Sequence, residues 1–219
     1  MSIVIRQAQA EDAPRIAEII QLAFDETTSV SQIQKSLNAG NRCYVAELNN
    51  QIVGFVEGFI TYSAEGERRN ELDLLAVHPD YHGQGIGTKI IEYYTHANYP
   101  ADFIRALIAV GNIRMEKALT RLGYQVSSDV CGLYVSSATT QETSKTPQDS
   151  HLIPITTFTY DGIWLEGQIT QQAINSAMSL KNHKDDVIGV VVSFADTDTI
   201  KRLQSADFNL ITHYRRWQR

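Results

Sequence analysis

The sequence has little cysteine, little proline, no excess of basic charge and no long apolar run. Its two cysteines, Cys43 and Cys131, lie far apart and outside any C-x-x-C or zinc-type spacing. They argue for a reduced, cytoplasmic protein rather than a disulfide-stapled secreted one. Lysine and arginine total 19 against 25 acids, a formal net charge of −6, which argues against a polyanionic partner such as nucleic acid and is compatible with an amine substrate. No uninterrupted apolar stretch approaches the ~18 residues that a membrane helix needs. The opening MSIVIRQAQAEDAPRI shows no basic segment followed by an apolar run, so neither a leader nor a membrane partner is expected. With 43% hydrophobic and 20% charged residues, usage is that of an ordinary globular chain. A length of 219 residues suggests one domain with an extension.

What the sequence does have is Glu71 to Thr88, ELDLLAVHPDYHGQGIGT, an apolar strand that runs through a His-Pro turn into glycines opening a helix. Gly83, Gly85 and Gly87 let the main chain approach a ligand without intervening side chains, and the first-turn N–H groups of the helix point the same way. A pyrophosphate suits such a site. The spacing matches neither the dinucleotide fingerprint, since Ile90 follows where a glycine belongs, nor a P-loop, since the order is Gly87-Thr88-Lys89.

The run His82-Gly83-Gln84-Gly85-Ile86-Gly87 resembles motif A of the GCN5-related N-acetyltransferases (GNATs), Q/R-x-x-G-x-G/A, with His82 in place of Gln or Arg. Leu72 to Pro79 resembles the family's fourth strand, and NIRMEKALTRLGY from Asn112 to Tyr124 resembles its N-x-x-A…LGF segment. The resemblance implies an α/β (α+β) mixed sheet of the acyl-CoA N-acyltransferase (GNAT) fold and acetyl-CoA as cosubstrate. It also implies transfer of acetyl to a primary amine of a small molecule or protein, by direct attack in a ternary complex. In the family a bulge splays the fourth strand from the fifth. Carried over, the pantetheine arm meets main-chain groups of Leu75, Ala76 and Val77, with the Val77 N–H donating to the thioester carbonyl. The pyrophosphate then rests on amides from His82 to Thr88, with the Thr88 hydroxyl added. Asn112 holds the family's asparagine position on the pantetheine arm and is equally a helix N-cap.

Strand periodicity puts Glu71, Asp73 and Leu75 on one face and Leu72, Leu74 and Ala76 on the other. Glu71 and Asp73 are the candidate bases; Glu71 falls where several family members carry a glutamate, and both acids also read as solvated strand-start residues. The family's proton-donating tyrosine position is Leu119, so the leaving thiolate needs another donor. Tyr124 holds the family's Phe position and is a catalytic candidate beside its reading as core; Tyr134 is a further phenol, and water can serve because a thiol with a pKa of about 8.5 leaves readily. No two of His78, His82 and His96 sit at i, i+4 on one helix, and no acidic partners cluster with them, so no metal is expected.

Strands are expected at 2–7, 42–47, 51–62, 71–77, 103–110 and 130–135, with helices from Ala10, over 85–97 and over 112–122, forming a GNAT acetyltransferase domain at 1–137. Residues 138–150, polar and rich in Ser, Thr and Gln, read as a linker. Beyond it strand 155–165, helix 170–180, strand 187–194, helix 198–205 and strand 208–217 repeat the end of the first domain. A shift of 84 residues places Ile104 on Ile188, Asn112 on Asp196, Leu119 on Leu203 and Tyr124 on Phe208. Residues 151–219 thus read as a degenerate half-GNAT, with Gly167 standing alone where the first copy has three glycines. The rival to an enzyme is a non-catalytic acyl-CoA binder or interaction module, whose second half plugs the acceptor side or forms a homodimer.

Overall fold

The computed structural model describes residues 3–97, 101–140 and 145–219; part of the expected linker, 141–144, lies outside them. Strand β1 (Val4–Gln7) leads into helix α1 (Ala13–Phe24), which has Pro14 in its first turn and buries Ile16, Ile19 and Ile20 on one face. Asp25, left-handed at φ 57°, ends it. Helix α2 (Val30–Asn38) begins at Ser29, whose hydroxyl accepts from the Gln32 N–H at 3.0 Å. Strands β2 (Arg42–Leu48) and β3 (Gln51–Tyr62) form a hairpin across Asn49 and Asn50, at φ 52° and 63°, the doubly left-handed turn that Asn-Asn accommodates. Next come β4 (Arg68–Val77), α3 (Ile86–His96), β5 (Phe103–Ala109), α4 (Ile113–Arg121), a two-residue β6 (Gln125–Val126) and β7 (Cys131–Ser136).

The region expected as one strand at 155–165 is a hairpin, β8 (Ser150–Thr156) and β9 (Asp161–Gly167). Its turn lacks glycine, and Thr157 supplies the turn bonds, its hydroxyl accepting from the N–H groups of Thr159 and Tyr160. Helix α5 (Gln171–Ser179), β10 (Val187–Ser193), α6 (Thr197–Ser205) and β11 (Asn209–Gln218) complete the chain.

All strands join one sheet in the order β1-β2-β3-β4-β5-β11-β7-β10-β9-β8, with β6 beside β11. Pairs β4/β5 and β9/β10 are parallel and the others antiparallel. The middle of the order, β4-β5-β11-β7-β10-β9, therefore reads the same from both ends. Strand β7, expected to complete the sheet of the first 137 residues, lies instead between β11 and β10, and the neighbour of β5 is the C-terminal strand. Each stretch of sequence thus lends a strand to the other. Trp217, directly opposite Ala106, enters the core formed by α3, α4 and β2 to β5.

Helices α3 and α4 pack on one sheet face, and the register through Ala106/Trp217 and His213/Gly132 carries that face to Tyr134, which packs beneath α5 and α6. Helices α1 and α2 cover the other face over β2, β3 and β4. Beyond them the sheet rolls on this inner face until β9 meets β3, β4 and β5. Trp164 stands edge-on to Phe59 at 5.3 Å, and Glu166 on β9 pairs with Arg69 on β4 and Arg105 on β5, each at 2.8 Å. No helix among the described residues is long and apolar enough to cross a membrane.

Candidate functional site

Strand β4 carries the site because it leaves its neighbour partway along. Its parallel register with β5 runs from Arg69/Phe103 to Leu72/Ala106 and stops, opening a wedge between Asp73–Val77 and Leu107–Ala109. On the other side, the β3 register shifts between Glu57/Leu74 and Gly58/Leu72, so Asp73 is the extra, unpaired residue of a β-bulge. Tyr94 of α3 buttresses this point, its phenol donating to Asn70 Oδ1 at 2.5 Å and to the Glu71 carbonyl at 3.2 Å. A Cβ on Gly58 would fall 1.8 Å from that phenol oxygen; glycine is what leaves room for the buttress.

The bulge also resets the alternation along β4. Leu72 faces α3, but Leu74 and Ala76 face α1 while Leu75 and Val77 face α3. The expected sharing of one face by Glu71, Asp73 and Leu75, with Leu72, Leu74 and Ala76 opposite, is thereby corrected, since period-two counting fails across an inserted residue. The main chain follows. The His78 N–H donates to the Val53 carbonyl at 2.8 Å, which makes Gly54/Val77 and Val56/Leu75 the non-hydrogen-bonded pairs with β3. The N–H groups of Val77 and Leu75 therefore point into the wedge, while Ala76 turns its main-chain groups to β3.

Beyond Val77, His78-Pro79 begins a short turn, and the His82 imidazole reaches back to the Val77 carbonyl at 2.7 Å. Gly83 and Gly85 are left-handed, at φ 78° and 75°, with open space where a Cβ would stand. Gln84 lies between them, exposed. The first helical bond of α3 runs from the Lys89 N–H to the Gly85 carbonyl at 3.1 Å. The N–H groups of Ile86, Gly87 and Thr88 are thus free of helical partners at the helix's positive end. A Cβ on Gly87 would sit 3.6 Å from Val77 and 3.7 Å from Leu75, so this end of the helix abuts the wedge. Asn112 caps α4, its side-chain oxygen accepting from the Met115 N–H at 3.2 Å.

The two candidate bases have different surroundings. Glu71 is 3% exposed, and its oxygens meet the Arg105 guanidinium at 2.7 and 2.8 Å and the Thr61 hydroxyl at 2.7 Å. Asp73 makes no hydrogen bond or ion pair with the described residues. Burial, then the neighbouring Glu71 charge, raises its carboxyl above the ordinary range. Glu57 on β3 is fully buried, accepting from the Ser36 hydroxyl at 2.5 Å and the Phe158 N–H at 2.9 Å, and is raised by burial and then by Asp73.

Two phenols that sequence reasoning passed over stand beside this group. Tyr160, in the β8/β9 turn, packs with Phe59, and Phe59 pairs with Glu71. Tyr214 on β11 lies opposite Ala109 at the open end of the wedge. Burial first, and then the Asp73 charge, raises both. No motif marks them; only the roll of the sheet brings them there. Tyr124, by contrast, is 2% exposed in the α3/α4 core with its phenol 2.9 Å from the Thr95 hydroxyl, and Leu119 is fully buried. Tyr134 is in the core under α5 and α6. Among the described residues no three His, Cys, Asp or Glu side chains gather as a metal site.

The model of the acetyltransferase (GNAT) family matches residues 6–124, more than half of the chain, and the protein belongs to that family. A putative acetyltransferase from Pyrococcus horikoshii superposes over 99% of this chain and 89% of its own with a TM-score of 0.68 at 12% identity. The ribosomal-protein-S18-alanine N-acetyltransferase of Escherichia coli covers 59% of this chain and 81% of its own, with a TM-score of 0.51 at 17% identity. Naa50 of Arabidopsis thaliana, in complex with the bisubstrate analogue CoA-Ac-MVNAL, covers 59% and 87%, with a TM-score of 0.50 at 17% identity. At these identities the likeness is one of fold. Comparison with curated protein sequences finds no match.

Proposed function

We propose that the protein transfers acetyl from acetyl-CoA to a primary amine, with Asp73 as the base. The observation that carries this is the end of the β4/β5 register at a bulge centred on Asp73, which leaves the Leu75 and Val77 main chain facing an open wedge abutted by the α3 N-terminus. Free N–H groups from Gly83 to Thr88 suit a pyrophosphate, with His82 bracing the loop, and the Thr88 hydroxyl adds a donor. The Val77 N–H suits the carbonyl oxygen on which charge develops. The acceptor ammonium gives a proton to Asp73, and its nitrogen then attacks the thioester carbon. The carbon–nitrogen bond forms, the carbon–sulfur bond breaks, the nitrogen gives up its second proton to solvent, and the thiolate takes one from solvent. Glu71, held by Arg105 and Thr61, fixes the strand instead of moving protons. Asn112 caps its helix and stands where the family's pantetheine contact would fall.

Asp73→Asn is expected to lower kcat by about 10²–10⁴ with acetyl-CoA affinity unchanged. A raised carboxyl acts as a base only after losing its proton, so the wild-type rate climbs as pH rises through that ionisation, and the climb disappears in the variant. Steady-state rates of CoA release across pH decide. An unaltered profile removes Asp73 from the role, and tight acetyl-CoA binding with no turnover of any amine favours the non-catalytic binder.

A further inference from the structure

On the rolled inner face, behind the wedge, a small cavity is lined by residues that include Arg105, Leu107, Trp164, Glu166, Gly189 and Arg216. It is built from both stretches of the sequence. Gly189 keeps it open towards the indole, since a Cβ there would stand 3.3 Å from the Trp164 ring. Three guanidiniums, of Arg69, Arg105 and Arg216, gather near two carboxylates, and both carboxylates are committed: Glu166 to Arg69 and Arg105, and Glu71 to Arg105 and, more loosely, to Arg69. Arg216 has no carboxylate within ion-pair distance among the described residues. Burial and then the Arg105 charge disfavour its charged form, against smaller opposing contributions that include Glu166 and Glu71, and an anion beside it would offset that cost.

The register places Arg216 relative to the base. Asp73 and Leu107 are the first residues of β4 and β5 past the end of their register at Leu72/Ala106, and Leu107 lies directly opposite Arg216. Asp73 and Arg216 thus lie on either side of Leu107 where the wedge begins, at least two strand spacings, or about 10 Å, apart between backbones. Arg216 and Leu107 both line the cavity, so the guanidinium and an apolar side chain border the same space. We propose that Arg216 binds a carboxylate of the acceptor, and that the acceptor is a short amino-carboxylic acid whose amine lies at Asp73. This rests on the acetyltransferase reading of the wedge.

The test compares linear ω-amino acids from glycine to 6-aminohexanoate with their carboxamides as acceptors for the full chain. One charge-assisted pair corresponds to about tenfold or more, so the best acid is expected to exceed its amide by at least that factor in kcat/KM. The acid-to-amide ratio should fall to about one in Arg216→Gln and to an intermediate value in Arg216→Lys, which keeps the charge but loses the fork. Equal use of acids and amides by the wild type, which needs no variant, overturns the proposal, as does a preference that survives in Arg216→Gln. If no amine is turned over, the acetyltransferase reading fails, and calorimetric titration of the CoA-saturated protein with the same acids decides the subsite. Binding lost in Arg216→Gln supports it, and no binding overturns it.

Discussion

Glu57 and Asp73 are two carboxyl groups that burial and then a neighbouring carboxylate, Asp73 beside Glu57 and Glu71 beside Asp73, hold above their ordinary range, and such groups affect stability as well as chemistry. A carboxyl whose folded pKa is raised binds its proton more tightly in the folded state. The stability it contributes is full below the unfolded value and is lost as pH rises through the folded one. Glu57→Gln mimics the protonated form at a fully buried position. The variant is expected to melt close to the wild type near about pH 5 and above it near about pH 9, by a few degrees or more, the shift that roughly 1–2 kcal/mol produces in a chain of this size. Thermal melts at both pH values check this, and a difference that does not grow with pH would mean that Glu57 stays ionised throughout. Residue identity at these positions was plain in the sequence. Their environment was not: Glu71 and Asp73 look interchangeable on a strand until the bulge and Arg105 separate them.

At the scale of elements, the strand, turn and glycine-opened helix from β4 to α3 formed where the sequence pattern placed them, because each is dictated locally. Alternating apolar residues make the strand, and left-handed glycines with an unpartnered first turn make the helix start. A side chain at Gly85 would point into open space, but it would have to adopt φ 75° and would bring its charge to the helix N-terminus. Gly85→Glu is expected to weaken acetyl-CoA binding by about tenfold or more, from carboxylate–pyrophosphate repulsion together with about 1 kcal/mol of left-handed strain, as read by calorimetric titration. Unchanged affinity would place the pyrophosphate elsewhere. The β8/β9 hairpin escaped the sequence reading because its turn carries no glycine. Its tip is anchored instead by distant partners: Asn41 donates to the Thr156 carbonyl at 2.6 Å, Gln32 to the Thr157 carbonyl at 2.8 Å, and the Phe158 N–H donates to Glu57.

At the scale of the molecule, the exchange of β7 and β11 has consequences for the proposed degenerate half-GNAT. Several pairs related by the shift of 84 residues have matching environments. Asn112 and Asp196 both cap helices through a side-chain oxygen, and Leu119 and Leu203 are both fully buried. The Tyr124 and Phe208 N–H groups bond the Leu119 and Leu203 carbonyls at the same 3.0 Å. These correspondences support the repeat, yet the two stretches are interleaved and should not unfold separately. The whole chain is expected to show a single calorimetric transition, and Trp217→Ala, emptying a core position next to Ala106 and Tyr124, to lower stability by about 3–5 kcal/mol. Two resolved transitions, with only the second shifted by the substitution, would show that the N-terminal stretch folds without β11.

The sequence by itself determined the local elements of the site: the apolar β4, the glycines that open α3, the Asn112 cap, and with them the family, because each depends on contacts within a few residues. Tertiary structure alone decided that β11 would take the place beside β5, that Glu71 would be locked by Arg105 while Asp73 took the unpaired place in the bulge, and that Tyr160, Tyr214 and Arg216 would share the inner face. Strand partners and the sharing of buried charge depend on which distant surfaces meet when the sheet rolls, and neither spacing nor composition along the chain carries that choice.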